Sequence, residues 1–161
     1  MTIRPATTQD HEVIWEILKA VVATGDTYVF NPDSSQDKMM AFWCDPDAHV
    51  YIAEVGSRIV GTYRIKANQS DRGSHIANGA YMVSPQAKGQ GIGRSMGIHS
   101  LEQARLLGYH AMQFNFVIKT NTAAVNLWKS LGFEIVGEIP LAFKHQTLGY
   151  VNVYIMYKSL Q

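Results

Sequence analysis

Cysteine is nearly missing: Cys44 stands alone among 161 residues, so no internal disulfide can form. An excess of charge is missing too. Fourteen Lys and Arg face thirteen Asp and Glu, a net charge of +1. That lacks the basic surplus that gathers phosphates, and no nucleic-acid partner is expected. No apolar run reaches the roughly 20 residues of a membrane helix, and the opening Met-Thr-Ile-Arg-Pro carries no apolar signal core. The chain is therefore read as cytoplasmic, with no membrane partner. Six histidines show no paired metal spacing, so no metal site is indicated. Repeats, linkers and low-complexity tracts are absent as well. What is there is a chain 47% hydrophobic and 17% charged. It reads as one soluble globular domain over residues 1–161, long enough to bury a substantial single core.

The most informative stretch runs from Met82 to Met96. An apolar run stops at Pro85, and a turn with Gly89, Gly91 and Gly93 opens a helix. Glycine permits positive φ and removes side chains that would hold a ligand away from amide N–H groups. The turn thus makes a nest of donors at the positive end of a helix, suited to a diphosphate, with Lys88 and Arg94 adding mobile positive charge. Spacing separates the phosphate-binding readings. A P-loop ends in Gly-Lys-Ser or Gly-Lys-Thr, whereas Arg94 follows Gly93 here. A dinucleotide fingerprint needs a third glycine where Arg94 sits and an acid about 20 residues on, and 110–119 holds none. An ordinary glycine-rich strand-to-helix turn is the bland alternative.

The rest of the chain alternates strands and helices around this turn. Residues 2–5 make a short strand, and Thr7 or Thr8 caps a helix carrying Ile14, Ile17, Leu18 and Val21 on one face up to Gly25. A polar and aromatic loop follows, and Ser34 or Ser35 caps a second short helix presenting Met39, Phe42 and Trp43. Residues 49–55 and 58–66 read as a hairpin around Gly56-Ser57. Glu54, beside that turn, reads as a solvated edge residue rather than a general base. A fourth strand over 75–83 leads into the glycine turn. In the helix after it, Gly93, Gly97, Leu101, Ala104 and Gly108 fall within about 80° at about 100° per residue, a stripe of mostly small residues that lets the helix lie close to a sheet. A fifth strand over 110–118 completes a parallel crossover. Thr120 or Asn121 then caps a helix striped with Ala124, Leu127, Trp128 and Leu131 and ending at Gly132. The last strands are 134–138 and 151–157, separated by a connection over 139–150.

Two motifs carry a resemblance. Gln86, Gly89 and Gly91 match the acyl-coenzyme A loop of the GNAT superfamily of N-acetyltransferases: Gln or Arg, two residues, Gly, one residue, Gly or Ala. Asn121, Ala124, Leu127, Trp128, Gly132 and Phe133 match, in register, the superfamily's later helix. The chain resembles the branch that acetylates small amino acids and toxic analogues, such as proline-analogue and phosphinothricin acetyltransferases. The resemblance implies an α/β (α+β) fold: a mixed, mostly antiparallel sheet of about seven strands and about four helices, whose parallel fourth and fifth strands splay apart. It implies acetyl-coenzyme A as co-substrate, with Met82, Val83 and Ser84 meeting the pantetheine arm. Lys88, Gly89, Gln90, Gly91, Ile92, Gly93 and Arg94 would wrap the pyrophosphate, Asn121 would contact the cofactor, and Lys129 is a weaker candidate for a phosphate.

The implied reaction moves an acetyl group directly to the amine of a small molecule. Such a reaction needs a base for the ammonium, donors for the oxyanion and a departing sulfur; by analogy, the donor is the Val83 N–H. Many relatives place Tyr where this chain has Trp128, and an indole N–H is no practical proton source. Coenzyme A therefore leaves as thiolate, or Tyr81 or a water supplies the proton. Asn78 and Asn115 interrupt apolar strands on either side of the splay. They are read as a catalytic or substrate-orienting pair, with structural hydrogen bonding as the alternative. Tyr28, Asn31, Lys144 and His145 are loop candidates for the acceptor site, His145 because imidazole titrates near neutrality. A non-catalytic acyl-coenzyme A binding module and a protein or peptide N-acetyltransferase stay open. Exposed Tyr and Met in the last strands are compatible with a homodimer.

Overall fold

Runs of β-branched and aromatic residues build one seven-stranded sheet, described over residues 1–161 in a computed structural model. Its strands are β1 (Thr2–Pro5), β2 (His49–Val55), β3 (Arg58–Ala67), β4 (Ile76–Val83), β5 (Ala111–Ile118), β6 (Glu134–His145) and β7 (Gly149–Ser159), in spatial order β1-β2-β3-β4-β5-β7-β6. The helices are α1 (His11–Val22), α2 (Gln36–Trp43), α3 (Ile92–Leu106) and α4 (Thr122–Ser130). Every neighbouring pair is antiparallel except β4 and β5. Those two are in register only at Ile76 with Ala111 and Ala77 with Met112; beyond these pairs they part.

Each sheet face carries its own core. α1 and α2 cover one with Ile14, Leu18, Met39 and Trp43, closed from the sheet by Ile52 and Met82. Trp43 lies fully inside because its indole N–H donates to Thr62 Oγ1 at 3.0 Å, and that hydroxyl donates on to the Tyr51 carbonyl at 2.9 Å. α3 and α4 cover the other face, where Tyr63, Met96, Met112, Phe114, Trp128 and Phe133 meet. Burying a side chain of this size stabilises by about 1.5–3 kcal/mol. The Ser35 hydroxyl accepts the Lys38 N–H at 3.3 Å and caps α2.

Two expectations need correction. The small-residue stripe of α3 faces α4 as well as the sheet: a Cβ on Gly97 would sit 2.6 Å from Leu131 Cδ1 and 3.1 Å from Trp128 Cζ3, and one on Gly93 would sit 3.5 Å from Leu127. Helix contacts helix there because nothing protrudes. The expected connection over 139–150 is mostly strand. β6 runs on to His145, and the chain turns only at 146–148. Pro140, two register breaks and a positive φ of 52° at Leu141 disrupt the period-two pattern that marks a strand.

Candidate functional site

Where β4 and β5 part, a cavity of about 350 Å³ opens. Gly79, Ala80 and Tyr81 wall it from β4, Phe114 to Ile118 from β5, and Ala124 and Trp128 from α4. Thr27 to Phe30, in the loop after α1, and Phe42 of α2 close the remaining side. No lining residue carries a formal charge.

Strand alternation decides which main-chain groups reach this space. The Ser84 N–H bonds the Val60 carbonyl at 2.8 Å, the Asn68 N–H bonds the Ile76 carbonyl at 2.8 Å, and Met82 is in register with Thr62. Even-numbered residues of β4 therefore spend their main chain on β3, and Gly79, Tyr81 and Val83 face the split. Of the three residues expected to meet a pantetheine arm, Val83 alone directs its N–H there. Met82 is buried in the core under α1 and α2, and the Ser84 N–H is already bonded. The Tyr81 groups are taken as well: its N–H donates to the Tyr28 hydroxyl at 3.0 Å, and that hydroxyl donates to the Tyr81 carbonyl at 2.8 Å.

At the end of β4 the glycine turn has the conformation its sequence requires. Gly89 and Gly91 have φ of 82° and 75°, and a Cβ at either would meet nothing within 4 Å. Backbone conformation and outside access, rather than packing, demand glycine there. Gly91 is the N-cap of α3 without a side-chain cap, and the first intrahelical bond is from the Ser95 N–H to the Gly91 carbonyl. The N–H groups of Ile92, Gly93 and Arg94 thus point outward without helical partners. Lys88 and Gln90 are exposed. Arg94 is not a mobile charge: its guanidinium donates to Ser130 Oγ at 2.8 Å, tying α3 to α4. Gln86 is held by Arg58 at 3.0 Å. Asn121 lines the cavity and also caps α4, accepting the Ala124 N–H at 3.2 Å. Lys129 is exposed at the end of α4.

Asn78 and Asn115 both line the cavity. Asn78 Nδ2 donates to the Gln113 carbonyl at 3.0 Å. Gln113 Nε2 donates to Asn115 Oδ1 at 2.9 Å, and Asn115 Nδ2 to Asn68 Oδ1 at 2.6 Å. The two asparagines thus meet at Gln113, Asn78 on its main-chain carbonyl and Asn115 on its side chain; Gln113 and Asn68 carried no sequence signal, because Asn78 and Asn115 reach them from segments 35 and 47 residues away. Tyr28 lines the cavity too. Asn31 does not, being exposed in its loop. Lys144 and His145 belong to β6 rather than a loop, and His145 Nδ1 accepts the Thr147 and Leu148 N–H groups at 3.2 Å each, capping the hairpin turn. His145 is not among the residues that line the cavity.

Burial pushes the Tyr28 phenol up to about 12 against the opposing pull of its bond to Tyr81. It pushes Tyr81 well above the tyrosine range, although a bond to Ser100 works the other way. The Tyr81 hydroxyl lies 2.7 Å from Ser100 Oγ and 3.4 Å from Met112 sulfur, turned into the α3 core. It is therefore unsuited to protonate a departing sulfur. Trp128 packs between Tyr81 and Phe114, with ring centroids 4.7 Å from each. Glu54, the discounted base, accepts from Arg4 at 2.9 Å.

A family model described as the Acetyltransferase (GNAT) family matches residues 14–133. The N-acetyltransferase aca1 of Schizosaccharomyces pombe is 35% identical over 113 residues, which are 68% of this chain and 53% of that protein. This chain thus spans about half the length of that curated relative. The solved GCN5-related N-acetyltransferase from Kribbella flavida superposes with a TM-score of 0.93 at 31% identity, covering 98% of this chain and 96% of that one. A phosphinothricin acetyltransferase from Sinorhizobium meliloti, solved in complex with AcCoA, shares the fold with a TM-score of 0.87 at 19% identity, covering 98% and 87%.

Proposed function

Because the chain belongs to the acetyltransferase (GNAT) family, we propose that it transfers the acetyl group of acetyl-coenzyme A directly to the amine of a small molecule, an amino acid or an amino-acid analogue. The observation that carries this reading is an alignment along β4: unpartnered N–H groups at 92–94 follow its end, Val83 faces the split, and an uncharged cavity holding Asn78 and Asn115 opens where the strands part. The open cradle at Gly89 and Gly91 fits a diphosphate, and the split fits an extended arm bearing amides.

When bound, acetyl-coenzyme A supplies an acyl carbon activated as a thioester; in the transfer a C–N bond forms, the C–S bond breaks, the amine loses a proton and sulfur departs as thiol or thiolate. The N–H groups of 92–94 hold the diphosphate, and Lys88 adds charge at the mouth. Val83 N–H holds the acyl oxygen as negative charge gathers there, a donor of the kind worth about 10²–10³-fold in rate. Asn121 steadies the arm from the α4 side. Asn78 and Asn115 orient the acceptor, and since an amide takes up no proton, the amine's proton passes to water. Trp128 packs against the bound groups and offers only a hydrogen bond to sulfur. The walls made by Tyr28, Phe30 and Phe42 favour a compact acceptor over a peptide.

Thiol release from acetyl-coenzyme A, screened against amino acids, their cyclic and phosphinic analogues, polyamines and peptides, tests this. Release that depends on amino-acid-like acceptors is the expected result. Coenzyme A binding with no release for any amine would overturn transfer, and release with peptides alone would overturn the small acceptor.

A further inference from the structure

One side chain already occupies the split between β4 and β5. Tyr28 reaches it from 53 residues upstream, and its single hydroxyl engages both main-chain groups of Tyr81, accepting the N–H at 3.0 Å and donating to the carbonyl at 2.8 Å. Tyr81 is a gap-facing residue of β4, so the phenol fills a place in the ladder that a neighbouring strand would otherwise take. Burial suppresses its ionisation, so the hydroxyl stays a neutral donor and acceptor through the neutral range.

The position along β4 matters. The split is shut at Ile76 and Ala111 and open toward the glycine turn. A ligand entering from the turn meets Val83 first and Tyr81 second, and the Tyr81 groups are spoken for. Resting on the proposed acetyl transfer, the geometry points to Tyr28 as the residue that sets acyl-chain length. The arm bonds β4 at Val83 and no deeper, and its acyl group ends against the Tyr28 phenol, flanked by Phe114 and Trp128. A two-carbon acyl group fits in front of the phenol, and longer chains run into it. In an enclosed apolar site one methylene changes discrimination by about 10- to 200-fold.

The test titrates acetyl-, propionyl- and butyryl-coenzyme A calorimetrically into the wild type, Tyr28→Phe and Tyr28→Ala, with thiol release on an acceptor from the screen measured alongside. The wild type binds the acetyl form at least about tenfold more tightly than the butyryl form. Tyr28→Ala raises butyryl relative to acetyl binding by about tenfold or more, and thiol release follows the same order. Tyr28→Phe keeps the ring and gives up both hydrogen bonds, so the ratio moves the same way by a smaller factor. That variant decides the matter if Tyr28→Ala does not fold. A butyryl-to-acetyl ratio unchanged in both variants, or no chain-length preference in the wild type, overturns this inference and leaves acetyl transfer standing. A wild type that binds none of the three thioesters overturns the transfer reading itself.

Discussion

The side-chain amide of Asn78 on β4 donates to the backbone carbonyl of Gln113 on β5 at 3.0 Å, just beyond the last registered pair of the two strands. A side chain takes over where the ladder stops. Replacing Asn78 by Ala leaves that carbonyl without its partner and removes the amide proposed to orient the acceptor. The orphaned carbonyl should cost about 1–3 kcal/mol of stability, and the lost hydrogen bond to a charged acceptor should lower kcat/KM by about 10- to 100-fold. Asn115→Ala should weaken the acceptor's KM comparably while coenzyme A binding by calorimetry holds. Transfer rates unchanged in both variants would remove the pair from the site.

Val83 offers a test through the backbone. Its N–H faces the split, so Val83→Pro deletes a donor that no neighbouring strand uses. Turnover should fall by about 10²–10³-fold, with a melting temperature close to wild type. Equal loss of fold and rate would mean that the ladder, not the acyl oxygen, needs that N–H.

Gly97 sets how closely α3 and α4 approach. A Val side chain there would start 2.6 Å from Leu131 Cδ1 and 3.1 Å from Trp128 Cζ3. Overpacking of this kind costs about 1–3 kcal/mol. Because α4 carries Trp128 and is capped by Asn121, Gly97→Val should also raise KM for acetyl-coenzyme A. Denaturant unfolding and steady-state kinetics together check the two effects.

Trp128 separates packing from chemistry. Trp128→Ala should lose about 3–5 kcal/mol of stability, since the indole fills the space between Tyr81, Phe114 and Phe133. Trp128→Phe retains an aromatic ring and loses the N–H. If packing is the indole's main role, its turnover stays near wild type, and a large loss would mean that the departing sulfur depends on that donor.

Asp10 predicts the response to acid. Hydrogen bonds from Arg4 at 2.8 and 2.9 Å, aided by the Thr7 N–H, hold its carboxyl well below the usual carboxylate range, while burial opposes them. An unfolded Asp titrates near about 3.9, so at low pH the unfolded chain takes up this proton more readily than the folded one. The stabilisation is complete above about pH 4 and is lost as pH falls below it. Asp10→Asn should melt earlier at pH 7 and show a flatter decline between about pH 4 and pH 2.

Much of this arrangement was readable from residue order, for identifiable reasons. The glycine turn announces itself because positive φ demands glycine, and Asn78 and Asn115 stand out because amides seldom interrupt buried strands. The short helix from Asn121 carries its own cap and stop. Other features depend on tertiary contact. No local signal links Tyr28 with Tyr81 or Arg94 with Ser130. β6 hid because most of its residues are exposed and bulges break its alternation. His145 reads as a loop residue because nothing local marks how far β6 extends.

The seam between β4 and β5 has a consequence for the molecule's survival as well as its chemistry. With two registered pairs across it, a four-strand block and a three-strand block share a boundary with few bonds of its own, and a guest lodged there acts as mortar. Its binding energy adds to that of the folded chain, by about 2.7 kcal/mol at a hundredfold excess over Kd. Resistance to heat and to proteases should therefore rise with the concentration of that guest, and the chain should be most fragile when its donor is scarce.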